Sequence, residues 1–195
     1  MHRVFIGLFV AAIALPLILP ERQASVPESV ASAAPKAPVE AVSVEQPTLG
    51  ELVTALDQWV PASVSNQHTC LAQAIYFEAR SEPIEGQLAV AHVVLNRVKD
   101  QRYPNTICGV VFQNEHRRHR CQFSFACDGL SDNAKEVEAW RQAMLVGYAA
   151  AAGYWEDLTQ SATHYHATYV DPAWRNELVA TAQFGRHLFY QDHSF

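Results

Sequence analysis

The chain has 195 residues, 49% of them hydrophobic and 17% charged, with a formal net charge of −6. That hydrophobic fraction excludes a disordered acidic protein, and fourteen Lys and Arg against twenty Asp and Glu lack the basic surplus of a nucleic-acid binder. Four cysteines are too few to build a disulfide scaffold, so an apolar core must carry the fold.

The chain opens on the basic Met1-His2-Arg3, followed by an uncharged run from Val4 to Leu19 that Pro16 interrupts. Sixteen residues at 1.5 Å each reach roughly 24 Å, short of the ~30 Å hydrocarbon core of a bilayer. Residues 1–20 therefore read as a secretory signal peptide or a short N-terminal membrane anchor. The one good small-residue cleavage triplet, Ala31-Ser32-Ala33, stands well beyond Leu19, which leaves cleavage open. Residues 21–47 are mostly Pro, Ala, Val, Ser and Glu without an aromatic, a composition that cannot bury enough apolar area to offset its ordering entropy, so they read as a linker. Within 48–65, Thr48-Leu49-Gly50-Glu51 has capping-box spacing and starts a short helix that runs toward Trp59 and stops at Pro61.

Residues 66–195 form the main domain. Leu71, Ala74 and Ile75 repeat at helical spacing, and Ser81-Glu82-Pro83 ends that helix and begins another. The second carries Ile84, Leu88, Ala91, Leu95 and Val98 on one face as far as Asp100. Between Tyr103 and Gly129 the pattern is irregular and predicts loops with short strands, Gln122-Phe123-Ser124-Phe125 among them. Ser131 or Asp132 is the expected cap of a third helix, with Val137, Trp140, Met144 and Tyr148 as its buried stripe and Gly153 just past its end. Thr163 to Val170 and His187 to Tyr190 read as extended, so the class is α+β, mainly α.

One position breaks the first stripe. After Leu71, Ala74 and Ile75 the next place on the same face is Glu78, where the period calls for an apolar side chain. A buried carboxyl resists ionisation, and a carboxylic acid still protonated near neutral pH is what a general acid for glycoside cleavage needs. The structural alternative is an ion pair with Arg80 or Arg97. His116-Arg117-Arg118-His119-Arg120 is a concentrated basic run, read as a solvated loop tip or as a contact for stem-peptide carboxylates. His164 and His166 share one face of their strand, but apart from His187 approaching through space no third ligand presents itself, so neither a metal nor a cofactor is expected. The cysteines (Cys70, Cys108, Cys121, Cys127) contain no C-x-x-C pair and allow three two-bridge connectivities.

Several ordered blocks resemble the SleB/CwlJ-type cell wall hydrolases, in the cysteine-bearing form of the Gram-negative branch. They are Cys70 to Pro83, Glu85-Gly86-Gln87, Val93 to Val98, Tyr103 to Val111, Cys121 to Phe125, Thr163 to Ala167 and Gly185 to Tyr190. Ser81 departs from the family's usual Gly. The resemblance implies a lysozyme-like, lytic-transglycosylase fold, peptidoglycan as substrate, and Glu78 as the catalytic acid that cleaves between N-acetylmuramic acid and N-acetylglucosamine. Gln122, Ser124, Tyr165 and His166 lie in matched blocks and are candidates to line a sugar groove. The competing readings are a muramidase that adds water, an amidase that releases stem peptides, and a peptidoglycan-binding module without activity. For a second carboxylate the candidates are Glu82, Glu85 and Asp128. The expected location is the periplasm, exported or tethered to the inner membrane.

Overall fold

The computed structural model describes residues 48–57, 65–117 and 121–194. The N-terminal segment and the linker expected over 1–47 lie outside these residues. No helix among the described residues is long and apolar enough to cross a membrane.

Five helices precede and flank a small sheet. Helix α1 (Leu49–Leu56) begins at the capping box, with Thr48 and Glu51 exchanging bonds, and it buries Leu49 and Val53. It packs on α5, where Asp57 at its end pairs with Arg141. The lead-in helix therefore belongs to the body of the fold. Helix α2 (Asn66–Ala79) starts at the Ser65 cap, and α3 (Ile84–Lys99) starts after Pro83, whose ring takes the N-cap place. Helix α3 is the centre of the domain. Its Leu88, Ala91 and Val94 face the helical core, while Ala89, Val90 and Val93 face the sheet and Phe189. Such burial on both sides explains why its apolar residues are nearly continuous, and why the stripe expected from Ile84 to Val98 captures only half of them.

The irregular stretch after Tyr103 holds helices rather than strands. Helix α4 (Ile107–Val111) is capped by Thr106, and Ser124–Cys127 is a single 3-10 turn, so the expected strand at Gln122-Phe123-Ser124-Phe125 is corrected. Disulfides Cys70–Cys108 and Cys121–Cys127 hold these short pieces, and segments tied covalently need little periodicity of their own. Helix α5 (Val137–Ala151) begins later than Ser131 or Asp132 would set it, with Glu136 as an N-cap whose side chain makes no capping bond. Instead the Tyr76 hydroxyl accepts from the backbone N–H groups of Lys135 and Glu136 at 3.0 and 3.1 Å. Of the stripe expected on α5, Trp140, Met144 and Tyr148 pack partly buried against the core, and Val137 is corrected. Val137 is 75% exposed, and Ala143, Val146, Gly147, Ala149 and Ala150 face inward. A Cβ on Gly147 would stand 3.4 Å from Ile75 Cδ1 and 3.6 Å from Leu71 Cγ, so α2 and α5 approach through small residues that a stripe of large side chains does not reveal.

The sheet is antiparallel in the order β1-β3-β2, built from β1 (His164–Ala167), β2 (Val179–Phe184) and β3 (His187–Gln191). Strands β1 and β3 are where the sequence places them, whereas β2 was not foreseen. It is short of large side chains, mostly exposed, and irregular in register between Ala180 and Ala182. One face of the sheet carries Tyr165 and Phe189 toward α3, and the other carries His164, His166 and Tyr190 against Trp174.

Candidate active site

Glu78 occupies the last turn of α2, and Arg80 caps the helix two residues on. The helix ends because Ser81-Glu82-Pro83 turns the chain, with Glu82 N–H donating to the Ala79 carbonyl. The side chain is therefore set at the mouth of the α2 packing face and is only partly exposed. Neither arginine in reach of the sequence pairs with it. Arg80 bonds Glu136 at 3.0 Å, and Arg97 turns its guanidinium to Thr163 and Gln122. Among the described residues the hydrogen-bond partner of Glu78 is the Tyr165 hydroxyl, which donates to Oε2 at 3.3 Å, long for an O–H···O bond. Burial pushes the Glu78 carboxyl above the ordinary glutamate range, and the Tyr165 bond offsets part of that. Burial and the neighbouring Glu78 charge in turn push the Tyr165 phenol well up, so it remains a donor.

Aromatic side chains pack around the last turn of α2. Phe77 stacks on Phe125 with centroids 4.6 Å apart and meets Tyr76 edge-on. Phe77, Phe125 and Tyr76 open onto a cavity of about 360 Å³ that Leu130, Asp128 and Asp132 line from the other side and whose walls do not include Glu78. A larger cavity of about 730 Å³ lies between the end of α3 and residues 191–194, and its walls do not include Glu78.

The carboxylates around Glu78 differ sharply in character. Glu82 is buried, yet Arg186 gives it a backbone N–H at 2.8 Å and a guanidinium Nε at 2.9 Å. Burial raises its carboxyl and these bonds, with the His187 and Arg186 charges, more than cancel that, so it is held below the usual range. It also fixes the β2–β3 turn, where Gly185 has φ +52 and a Cβ would overlap Glu82 Oε2. Glu85 and Asp128 are exposed, and Asp128 accepts from the Leu130 N–H.

Of the other sequence candidates, Tyr165 is brought to Glu78, while three are placed elsewhere. With its amide oxygen turned to Arg97, Gln122 accepts from both terminal nitrogens at 2.8 and 3.2 Å. Ser124 is exposed at the start of the 3-10 turn. His166 is on the opposite face of the sheet, where Nε2 meets the Tyr190 hydroxyl at 2.9 Å and Trp174 packs edge-on. His187 packs against Tyr165 on the Glu78 side of the sheet, so the three histidines do not converge. His116 and Arg117 of the basic run are exposed, and 118–120 lie outside the described residues. The residue that sequence reasoning treated only as an ion-pair alternative is Arg97. Its signal was available: Val90, Val93, Val94 and Arg97 follow the period that exposed Glu78.

Residues 81–190 match the sequence profile of the cell wall hydrolase family. The chain belongs to that family. The match begins three residues after Glu78, so the placement of this side chain rests on the geometry above and on the flanking blocks. As a cell wall hydrolase it is 30% identical over 131 residues to the spore cortex-lytic enzyme of Bacillus subtilis (strain 168), covering 67% of this chain and 39% of that one. It is 31% identical over 134 residues to the spore cortex-lytic enzyme of Oceanobacillus iheyensis, covering 67% and 44%. The hydrolase thus spans about two fifths of the length of these relatives. A solved structure, the catalytic domain of the germination-specific lytic transglycosylase SleB from Bacillus anthracis, aligns at 30% identity and a TM-score of 0.49, over 68% of this chain and 100% of that one.

Proposed function

We propose that this protein cleaves the glycan strand of peptidoglycan between N-acetylmuramic acid and N-acetylglucosamine, as a lysozyme-like lytic transglycosylase with Glu78 as its single acid and base. The observation that carries the reading is a half-buried carboxyl at a helix end, paired with no cation among the described residues and met by a phenol donor. Membership of the cell wall hydrolase family supports the substrate class. In the reaction, protonated Glu78 gives its proton to the glycosidic oxygen as the C1–O bond breaks and positive charge develops on the muramoyl ring. Its carboxylate, steadied by the Tyr165 hydroxyl, then takes the proton of the muramoyl 6-hydroxyl, whose oxygen closes on C1 to give a 1,6-anhydro product. The acid is regenerated. A one-carboxylate route is favoured because Glu82 is committed to Arg186 and both Glu85 and Asp128 face solvent.

Purified sacculi digested with the protein and analysed by mass spectrometry test this. Anhydro-muropeptides are the expected products, and Glu78→Gln, which cannot supply the proton, should lower their release by a factor on the order of 10²–10⁴. Undiminished release by E78Q removes Glu78 from the mechanism. Reducing muropeptides mean water is the acceptor, free stem peptides mean an amidase, and retention on sacculi without release means a binding module. The basic start and apolar run of residues 1–20 support export to the periplasm, with or without a remaining membrane tether. Cell fractionation and N-terminal sequencing of the mature protein check this.

A further inference from the structure

Arg97 stands on α3 with 2% of its surface exposed, and no described carboxylate is within ion-pairing distance. An arginine stays charged in proteins, so a full cation is held out of water without an anion, a costly arrangement that polar contacts must offset. Nε donates to the Thr163 carbonyl at 2.7 Å, and both terminal nitrogens reach the Gln122 oxygen. The guanidinium also approaches the rings of Tyr103 and Phe123, at 5.3 and 5.8 Å from their centroids. Thr163 is two residues before Tyr165 on the same extended segment and is tied to β3 by its N–H on the Tyr190 carbonyl. Gln122 belongs to the loop that the Cys121–Cys127 bridge closes, the loop that carries Phe125 to Phe77. Arg97 thus joins the strand that presents the phenol to the loop that packs Phe125 on Phe77, the residue before the acid.

The same phenol feels both ends of this chain of contacts. The Glu78 charge raises the Tyr165 proton affinity and the Arg97 charge lowers it. Other titratable groups around the end of α2 are engaged or remote from the carboxyl: Arg80 with Glu136, Glu82 with Arg186, His187 behind Tyr165, and Asp128 and Asp132 across the cavity.

We propose that Arg97 is a positioning residue for the proton transfer, holding Tyr165 toward Glu78 and placing a permanent positive charge beside that phenol. This rests on Glu78 being the acid and base. The fork fixes where the phenol stands, and the phenol's bond to Oε2 favours the Glu78 carboxylate once the proton has left.

The test compares the wild-type chain with R97Q, R97K, Q122M and E78Q on sacculi, reading kcat, KM and the pH profile, with folding checked by circular dichroism. R97Q should lose at least about tenfold in kcat at little changed KM. Its alkaline limb, where the free enzyme loses the acid's proton, should move up by about one pH unit, because a phenol no longer held in place stops donating to the carboxylate. R97K keeps a point charge but not the fork, so its limb should move as that of R97Q does and it should remain slow. A folded R97Q whose limb coincides with the wild type overturns the proposal. If R97Q does not fold, Q122M decides: a several-fold loss of kcat at unchanged KM supports it, while unchanged kcat, with or without a raised KM, overturns it. Full release by E78Q is a separate failure, that of Glu78 as the acid.

Discussion

At the scale of single residues, two glutamates four positions apart should give opposite pH dependences. Burial holds the Glu78 carboxyl above its unfolded value, so between those two values the folded chain keeps a proton that the unfolded chain has released. Its contribution to stability therefore falls as pH rises through that window. Glu82 is held below its unfolded value by Arg186, so its contribution is present above the unfolded value and is lost as pH falls through the folded one. Two melts separate them. E78Q should raise Tm at pH 7 by a few degrees, a gain that vanishes below about pH 4, where wild-type Glu78 is also neutral. R186M should lower Tm at pH 7, with the loss shrinking in acid as Glu82 becomes protonated. A flat difference across pH in either variant would reject the corresponding assignment. That a gain in stability accompanies a loss of activity at Glu78 is expected of a site that keeps a poorly solvated acid.

At the scale of elements, the site depends on how α2 ends and on what the β2–β3 turn does behind it. The Glu82 carboxylate reaches into that turn, and Gly185 permits the approach because it has no Cβ and adopts φ +52. G185A should therefore cost about 1–3 kcal/mol in urea unfolding, from a left-handed alanine and the displacement of Glu82 together. A cost below about 0.5 kcal/mol would mean that the turn relaxes freely. Helix α2 was legible because its apolar spacing is clean, and Glu78 was legible because it violates that spacing. Helix α5 was legible in extent at Gly153, and Trp140, Met144 and Tyr148 mark a core-facing side, but its fully buried positions were not. Its contact with α2 uses Gly147 and alanines, and side-chain size is then a poor guide to burial. The pairing of Gln122 was hidden for a related reason: its partner is a cation 25 positions earlier in the chain, which no local pattern reports.

At the scale of the whole molecule, the two disulfides act on different ranges. Cys70–Cys108 ties α2 to α4 across 38 positions, whereas Cys121–Cys127 closes a loop of 6. Loop-closure entropy assigns about 4 kcal/mol to the first and about 2 kcal/mol to the second. Denaturant titrations of C70A/C108A and C121A/C127A should show that order. The second pair should also lose activity out of proportion to its stability, because its loop carries Gln122 and Phe125. Equal losses of stability would contradict the entropic ranking.

Local chemistry decided much of this protein before any contact was known. Helix starts at Thr48 and Ser65, the break at Pro83, the strands at His164 and His187, and a carboxyl on an apolar stripe all follow from neighbours within a few residues. Long-range packing decided the rest. It chose the disulfide pairing, put Tyr165 rather than His166 beside Glu78, gave Glu82 to Arg186, and buried Arg97 between a strand and a loop. Periodicity records which side of an element is dry. What stands opposite that side depends on the crossing of helices and the register of strands, which are properties of the assembled chain.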